Sequence, residues 1–137
     1  GSYVIEAGGK RLYLSGDGGN GPHFKEIGDL FRDSGGFDLA FIEDGQYNAD
    51  WAEIHMAPEG SVKAATEVGA KSVIPIHNCR YALARHAWYD PLERIRMAPH
   101  LADWKLLTPK VGDVVPIGDL TVEFPAWWRD VPKSASS

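Results

Sequence analysis

With 137 residues, 44% of them hydrophobic, and a formal net charge of -5, the chain can bury one sizeable core and lacks the basic face of a general nucleic-acid binder. Its single cysteine, Cys79, excludes an internal disulfide and a cysteine zinc cluster and suits a reducing, cytoplasmic setting. No apolar run reaches the length of a transmembrane segment.

In chain order, residues 3–6 and 11–14 read as two strands around Gly8-Gly9, a hairpin signal. The second strand runs into Ser15-Gly16-Asp17-Gly18-Gly19, which places one carboxylate in a glycine-rich loop. Pro22 opens a helix with Phe24, Ile27, Leu30 and Phe31 at helical spacing, and Asp33-Ser34-Gly35-Gly36 stops it. Residues 37–42 form an apolar run expected to be a strand buried on both faces. Residues 43–56 read as a long loop of the kind that carries function. Pro58 opens a second helix with Val62, Ala65, Thr66 and Val68 inward and Gly69 at its end. Residues 73–76 are the next buried strand and end at His77. A short helix is expected over residues 81–88, and another from Asp90-Pro91 with Leu92, Ile95 and Met97 inward. Residues 105–107 and 114–117 read as edge strands, and residues 120–124 as a last strand before Trp127 and Trp128, which cap the core.

The alternation defines an α/β class, a mixed sheet with helices on one face. Residues 3–132 are expected to form one domain, with 1–2 a tag scar and 133–137 a frayed tail. The chain opens inside a strand-like run, which implies a missing upstream half. The helices suffice for one sheet face only, so the second face requires a cover, either a second copy of the chain or that missing half.

Two strands ending in Asp17 and His77 point to a site at the carboxyl edge of the sheet. A carboxylate can bridge two cations, and a neutral imidazole is a good zinc ligand. The plainer roles are a turn aspartate and a histidine bonded to a neighbouring carbonyl. His55, in the long loop, is placed to act on a substrate phosphate or oxyanion, or simply precedes a helix. Glu43 and Asp44 follow a strand at the same edge and could join a site, but read chiefly as solvated loop carboxylates. Cys79 lacks a positioned base and reads as no nucleophile. His23, His86 and His100 read as surface residues.

The segments Ser15-Gly16-Asp17-Gly18-Gly19, Phe24-Lys25-Glu26-Ile27-Gly28, Phe37-Asp38-Leu39-Ala40, His55-Met56-Ala57-Pro58-Glu59 and Ile76-His77, in this order, resemble the metallo-β-lactamase superfamily. The resemblance is to the C-terminal half of that fold, in the branch of N-acyl-phosphatidylethanolamine phospholipase D and ascorbate-6-phosphate-lactonase-like proteins. It implies half of an αββα sandwich, with Asp17 and His77 as metal ligands and His55 as a catalytic residue near the substrate. It also implies zinc or another divalent metal in the intact fold, and hydrolysis of a phosphodiester, ester or lactone by metal-bound hydroxide. The substrate would be a small molecule or phospholipid-like. The family's His-x-His-x-Asp-His motif is not in this sequence, which has Gly18 where Thr is common and Asn78-Cys79 where Trp-Gly is common. The chain alone is therefore expected to bind metal weakly or not at all and to be a poor catalyst. The rival expectation is a non-enzymatic, self-associating half-domain, most simply a homodimer.

Overall fold

The computed structural model describes residues 1–51, 53–80, 84–98 and 103–133. Strands β1 (Tyr3–Ala7) and β2 (Lys10–Leu14) form an antiparallel hairpin. Gly8 (φ 56) and Gly9 (φ 74) both take the left-handed conformation that a two-residue hairpin turn demands. Helix α1 (His23–Phe31) follows, then β3 (Leu39–Glu43), α2 (Pro58–Val68), β4 (Ser72–Ile76), α3 (Asp90–Met97) and β5 (Lys105–Leu106). The sheet order is β1-β2-β3-β4-β5, with β2 to β5 parallel. Alternation along the strands sends Tyr13, Ala40, Ile42 and Val73 to one face, where they pack with Phe24 of α1, Val62, Ala65 and Val68 of α2 and Ile95 of α3. The three α-helices among the described residues therefore cover that face, as expected.

Leu39, Ile74 and Leu107 are buried on the opposite face, with Leu12, Phe41 and Ile76 beside them. Val115 and Phe124 pack onto this cluster, so the C-terminal segment supplies a partial cover that the sequence reading did not foresee. The cover stops short of the hairpin. Tyr3 and Ile5, directly opposite Leu14 and Leu12, remain 68% and 44% exposed.

Residues 114–117 and 120–124, expected as strands, are not strands. β5 pairs with β4 through two residues only, so beyond it there is no long ladder to extend. Gly112 and Gly118 turn the chain with φ of 98 and 89, and the Asp119 carboxylate accepts from the Thr121 amide and hydroxyl. Leu30 was expected inward and is exposed. It lies roughly 100° around the helix from the stripe of Phe24, Ile27, Gly28 and Phe31. Met97, in the last turn of α3, is also exposed, whereas Leu92 and Ile95 are buried. Thr66 lies outside the buried face of α2 and accepts the Trp104 indole N–H instead. In the helix expected over 81–88, residues 84–88 form bends and turns and 81–83 lie outside the described residues, as do His100 and 134–137. Trp128 is fully buried, donating to Glu93 at 2.7 Å, and Trp127 stacks on Trp88. His23 and His86 are half-buried, not surface residues, packed on Phe24 and Tyr47 respectively.

Candidate functional site

Parallel pairing brings the carboxyl ends of β2, β3 and β4 to one edge. Leu14 pairs with Phe41, and Glu43 with Ile76, so the residues that follow each strand emerge side by side. The Ser15 amide donates to the Phe41 carbonyl, the Glu43 amide to the Ser15 hydroxyl, and the Asp44 amide to the Ile76 carbonyl. The loops meet backbone to backbone. A Cβ on Gly19 would collide with the Glu53 carbonyl, and one on Gly45 with the His77 carbonyl. Asp17 is carried by the loop after β2, Glu43 by the end of β3, His55 by the loop before α2, and His77 by the residue after β4. His77 itself has φ 67, a left-handed conformation uncommon for a residue with a side chain.

These four residues converge. His77 Nδ1 lies 3.4 Å from Asp17 Oδ1. The His55 and His77 rings stack with centroids 4.7 Å apart and planes 25° apart. His55 Nδ1 bonds to Glu43 Oε1, and Glu43 Oε2 accepts the Gly18 amide at 2.7 Å. Ligand-type atoms of Glu43, His55 and His77 all fall within 4.8 Å of one another. The Asp17 side chain is 61% exposed, whereas that of Glu43 is at 0%. Burial raises the Glu43 pKa, and the Gly18 and His55 bonds pull it back. His77 Nε2 is buried with no hydrogen-bond partner. An orphaned buried imidazole nitrogen is one that a divalent cation would satisfy, and carboxylate and imidazole are donor types that such an ion accepts.

The sequence-predicted Asp17, His55 and His77 are thus brought together. Glu43 is the residue whose weight the sequence understates: of its two readings, a site member or a solvated loop carboxylate, the sequence favours the second, and it is the buried centre of the cluster. The pairing of its strand with the Asp17 and His77 strands was the signal that could have found it. Asp44 was misread the same way. Its side chain is buried, and neither carboxylate oxygen has a partner. Desolvation pushes its pKa well up, and the Ser61 hydroxyl that would counter this donates its proton to the Glu43 carbonyl at 2.6 Å. Cys79 is held away from nucleophile chemistry. Burial, and then the Asp44 charge, push its thiol up to about 11, and its sulfur faces the Trp88 carbonyl.

A mixed α/β sheet that gathers carboxylate and imidazole side chains at its carboxyl edge has the architecture of a hydrolase-like fold. The chain belongs to the beta-lactamase superfamily domain family, whose model matches residues 1–78. It is 46% identical over 76 residues to the outer membrane protein RomA of Klebsiella pneumoniae, an alignment covering 56% of this chain and 55% of that protein. It is 34% identical over 132 residues to an uncharacterized protein of Mycobacterium tuberculosis, covering 93% of this chain and 34% of that protein. The chain therefore spans between a third and about half of the length of these relatives. Among solved structures it matches Igni18, a novel metallo hydrolase from the hyperthermophilic archaeon Ignicoccus hospitalis. The TM-score is 0.59 at 19% identity, over 82% of this chain and 43% of that one, which is a likeness of fold. Among the described residues no helix is long and apolar enough to cross a membrane.

Proposed function

We propose that this chain is a portion of a metal-dependent hydrolase acting on a phosphodiester or on an ester or lactone. Asp17 and His77 would be its ligands to a divalent cation, zinc by preference for the imidazole, and His55 its substrate-facing histidine. The observation that carries this reading is the gathering of Asp17, His55 and His77 at one sheet edge, with His77 Nδ1 facing Asp17 and its Nε2 buried and partnerless. A cation held there supplies Lewis acidity and lowers the pKa of water. The chain's own residues do the rest. Asp17 is open enough to reach an incoming group, and His55, tied through Nδ1 to Glu43, keeps Nε2 as the ring atom for exchanging a proton with substrate.

With Glu43 committed to Gly18 and His55, Asp17 and His77, which face each other, remain as the assigned ligands, fewer than a zinc site ordinarily needs. Weak zinc binding and poor turnover of a chromogenic phosphodiester are the expected outcome for the 137-residue chain. Calorimetric titration with zinc tests this. Weak binding abolished by Asp17→Ala and by His77→Ala supports the assignment. Stoichiometric zinc retained through dialysis and lost in both variants would show the chain complete by itself. Affinity unchanged in both variants sinks the ligand assignment.

A non-catalytic reading is favoured by one observation, the exposure of Tyr3 and Ile5 on the partly covered sheet face. In that reading two chains associate through this face. Sedimentation at micromolar concentration decides it, since a monomer would remove the reading.

A further inference from the structure

We infer that Glu43 is a positioning residue, a brace that locks His55 in its Nδ1–H tautomer and ties it to the Asp17 loop. The inference rests on the reading of His55 as the acting histidine. Every polar group of Glu43 is engaged. Its amide donates to the Ser15 hydroxyl at 3.0 Å, and its carbonyl accepts from Ser61 of α2. One carboxylate oxygen accepts the Gly18 amide, next to Asp17, and the other faces His55 Nδ1. An ionised carboxylate only accepts, so Nδ1 carries the proton and Nε2 keeps its lone pair. One buried residue therefore joins three separate stretches: its carboxylate ties the loop after β2 to the loop before α2, and its carbonyl holds α2.

The alternative is that Glu43, His55 and His77 jointly ligate one ion. The ring geometry argues against it. Stacked imidazoles 25° from parallel have their in-plane lone pairs in nearly parallel planes, so convergence on one ion would require turning a ring and breaking the Glu43–His55 bond. The arrangement instead matches the carboxylate–histidine pairs that orient a working imidazole from behind.

The test is a long-range proton–nitrogen spectrum of the imidazoles in the ¹⁵N-labelled 137-residue chain, with EDTA, at about pH 8.5, where an ordinary imidazole is neutral. His55 is expected as the Nδ1–H tautomer, with the Gly18 amide protected from exchange. In Glu43→Gln, one acceptor oxygen and one NH2 replace two acceptors. Either His55 moves to the Nε2–H tautomer or Gly18 loses its protection. A His55 Nε2–H tautomer in the wild-type chain overturns the brace whether or not the variant folds, and so does a folded Glu43→Gln chain with an unchanged spectrum. Zinc then separates brace from ligand. A brace on His55, which is not itself a ligand, predicts that Glu43→Gln leaves zinc affinity largely intact. Abolition equal to that of His77→Ala, with the Glu43–His55 bond broken by zinc in the wild type, would make Glu43 a ligand and overturn the inference. The tautomer is read without metal. A chain that shows it, yet whose zinc affinity is unchanged in Asp17→Ala and His77→Ala, would therefore cost the hydrolase reading and not the brace.

Discussion

The two edges of the sheet treat their charges in opposite ways. At the amino edge, the Arg11 guanidinium pairs with Glu6 at 2.6 Å and donates to the Ser34 and Gly36 carbonyls. It also lies over the Phe31 ring, and the Arg11 amide donates to Asp38. Lys71 completes the group, 3.7 Å from Asp38. Each of these charges has a partner, and the loops are tied to the strands. At the carboxyl edge, both Asp44 oxygens and His77 Nε2 are buried without partners, and Gln46, His77 and Cys79 hold positive φ. Unmet polar groups and left-handed side-chain residues cost stability. One edge therefore holds the fold together, and the other carries the groups available for chemistry.

Substitutions at the two edges should move stability in opposite directions. Arg11→Ala strips two carbonyls of their charged donor and is expected to cost about 2–3 kcal/mol, with zinc affinity unchanged. Urea unfolding measures it, and a loss below about 0.5 kcal/mol, the scale of an ordinary surface change, would erase the contrast. Asp44→Asn should do the reverse and stabilise the chain by about 1–2 kcal/mol near neutral pH, by removing a buried lone charge. The sign with pH follows. The folded-state pKa is raised, so the wild-type chain loses stability as pH climbs from the ordinary carboxylate range toward that raised value. The advantage of the variant should therefore grow from pH 5 to pH 8 in parallel melts, and an advantage that shrinks would show that Asp44 has an unseen partner.

A smaller effect lies away from both edges. Arg129, and then Trp128, hold the Glu93 carboxyl down to about 2. With the folded pKa depressed, this contribution is present above the unfolded value and fades as pH falls toward 2. Glu93→Gln should lower stability by about 0.5–1 kcal/mol at neutral pH, since the pair is partly solvated. It should flatten the acid limb of the stability curve, and an unchanged limb would refute the assignment.

Much of this architecture is legible in the residues. Gly8-Gly9 between two strand-like runs fixes the hairpin, and two-sided apolar runs ending at Glu43 and His77 fix the parallel centre. Asp17, His55 and His77 announce themselves because ligand-type residues at strand ends and in a long loop have few other reasons to converge. Glu43 and Asp44 do not, because a carboxylate after a strand looks the same in sequence whether water or another loop covers it. The contacts that cover Glu43 come from Gly18, His55 and Ser61, which lie well away from it in the chain. The segment 114–124 misleads for the opposite reason. It alternates like a strand, yet Gly112 and Gly118 bend it over the second sheet face as a cover.

The backbone contacts at Gly19 and Gly45 shape which substitutions the chain tolerates. Neither glycine offers a reactive atom, yet any side chain there would wedge the Asp17 loop from the His55 loop, or the β3 exit from the β4 exit. A screen for folded protein alone should then spare changes at Asp17, whose side chain is largely in water, and reject changes at Gly19 and Gly45. A screen for activity would reject all three, and the difference between the two maps would separate residues that shape the site from those that use it.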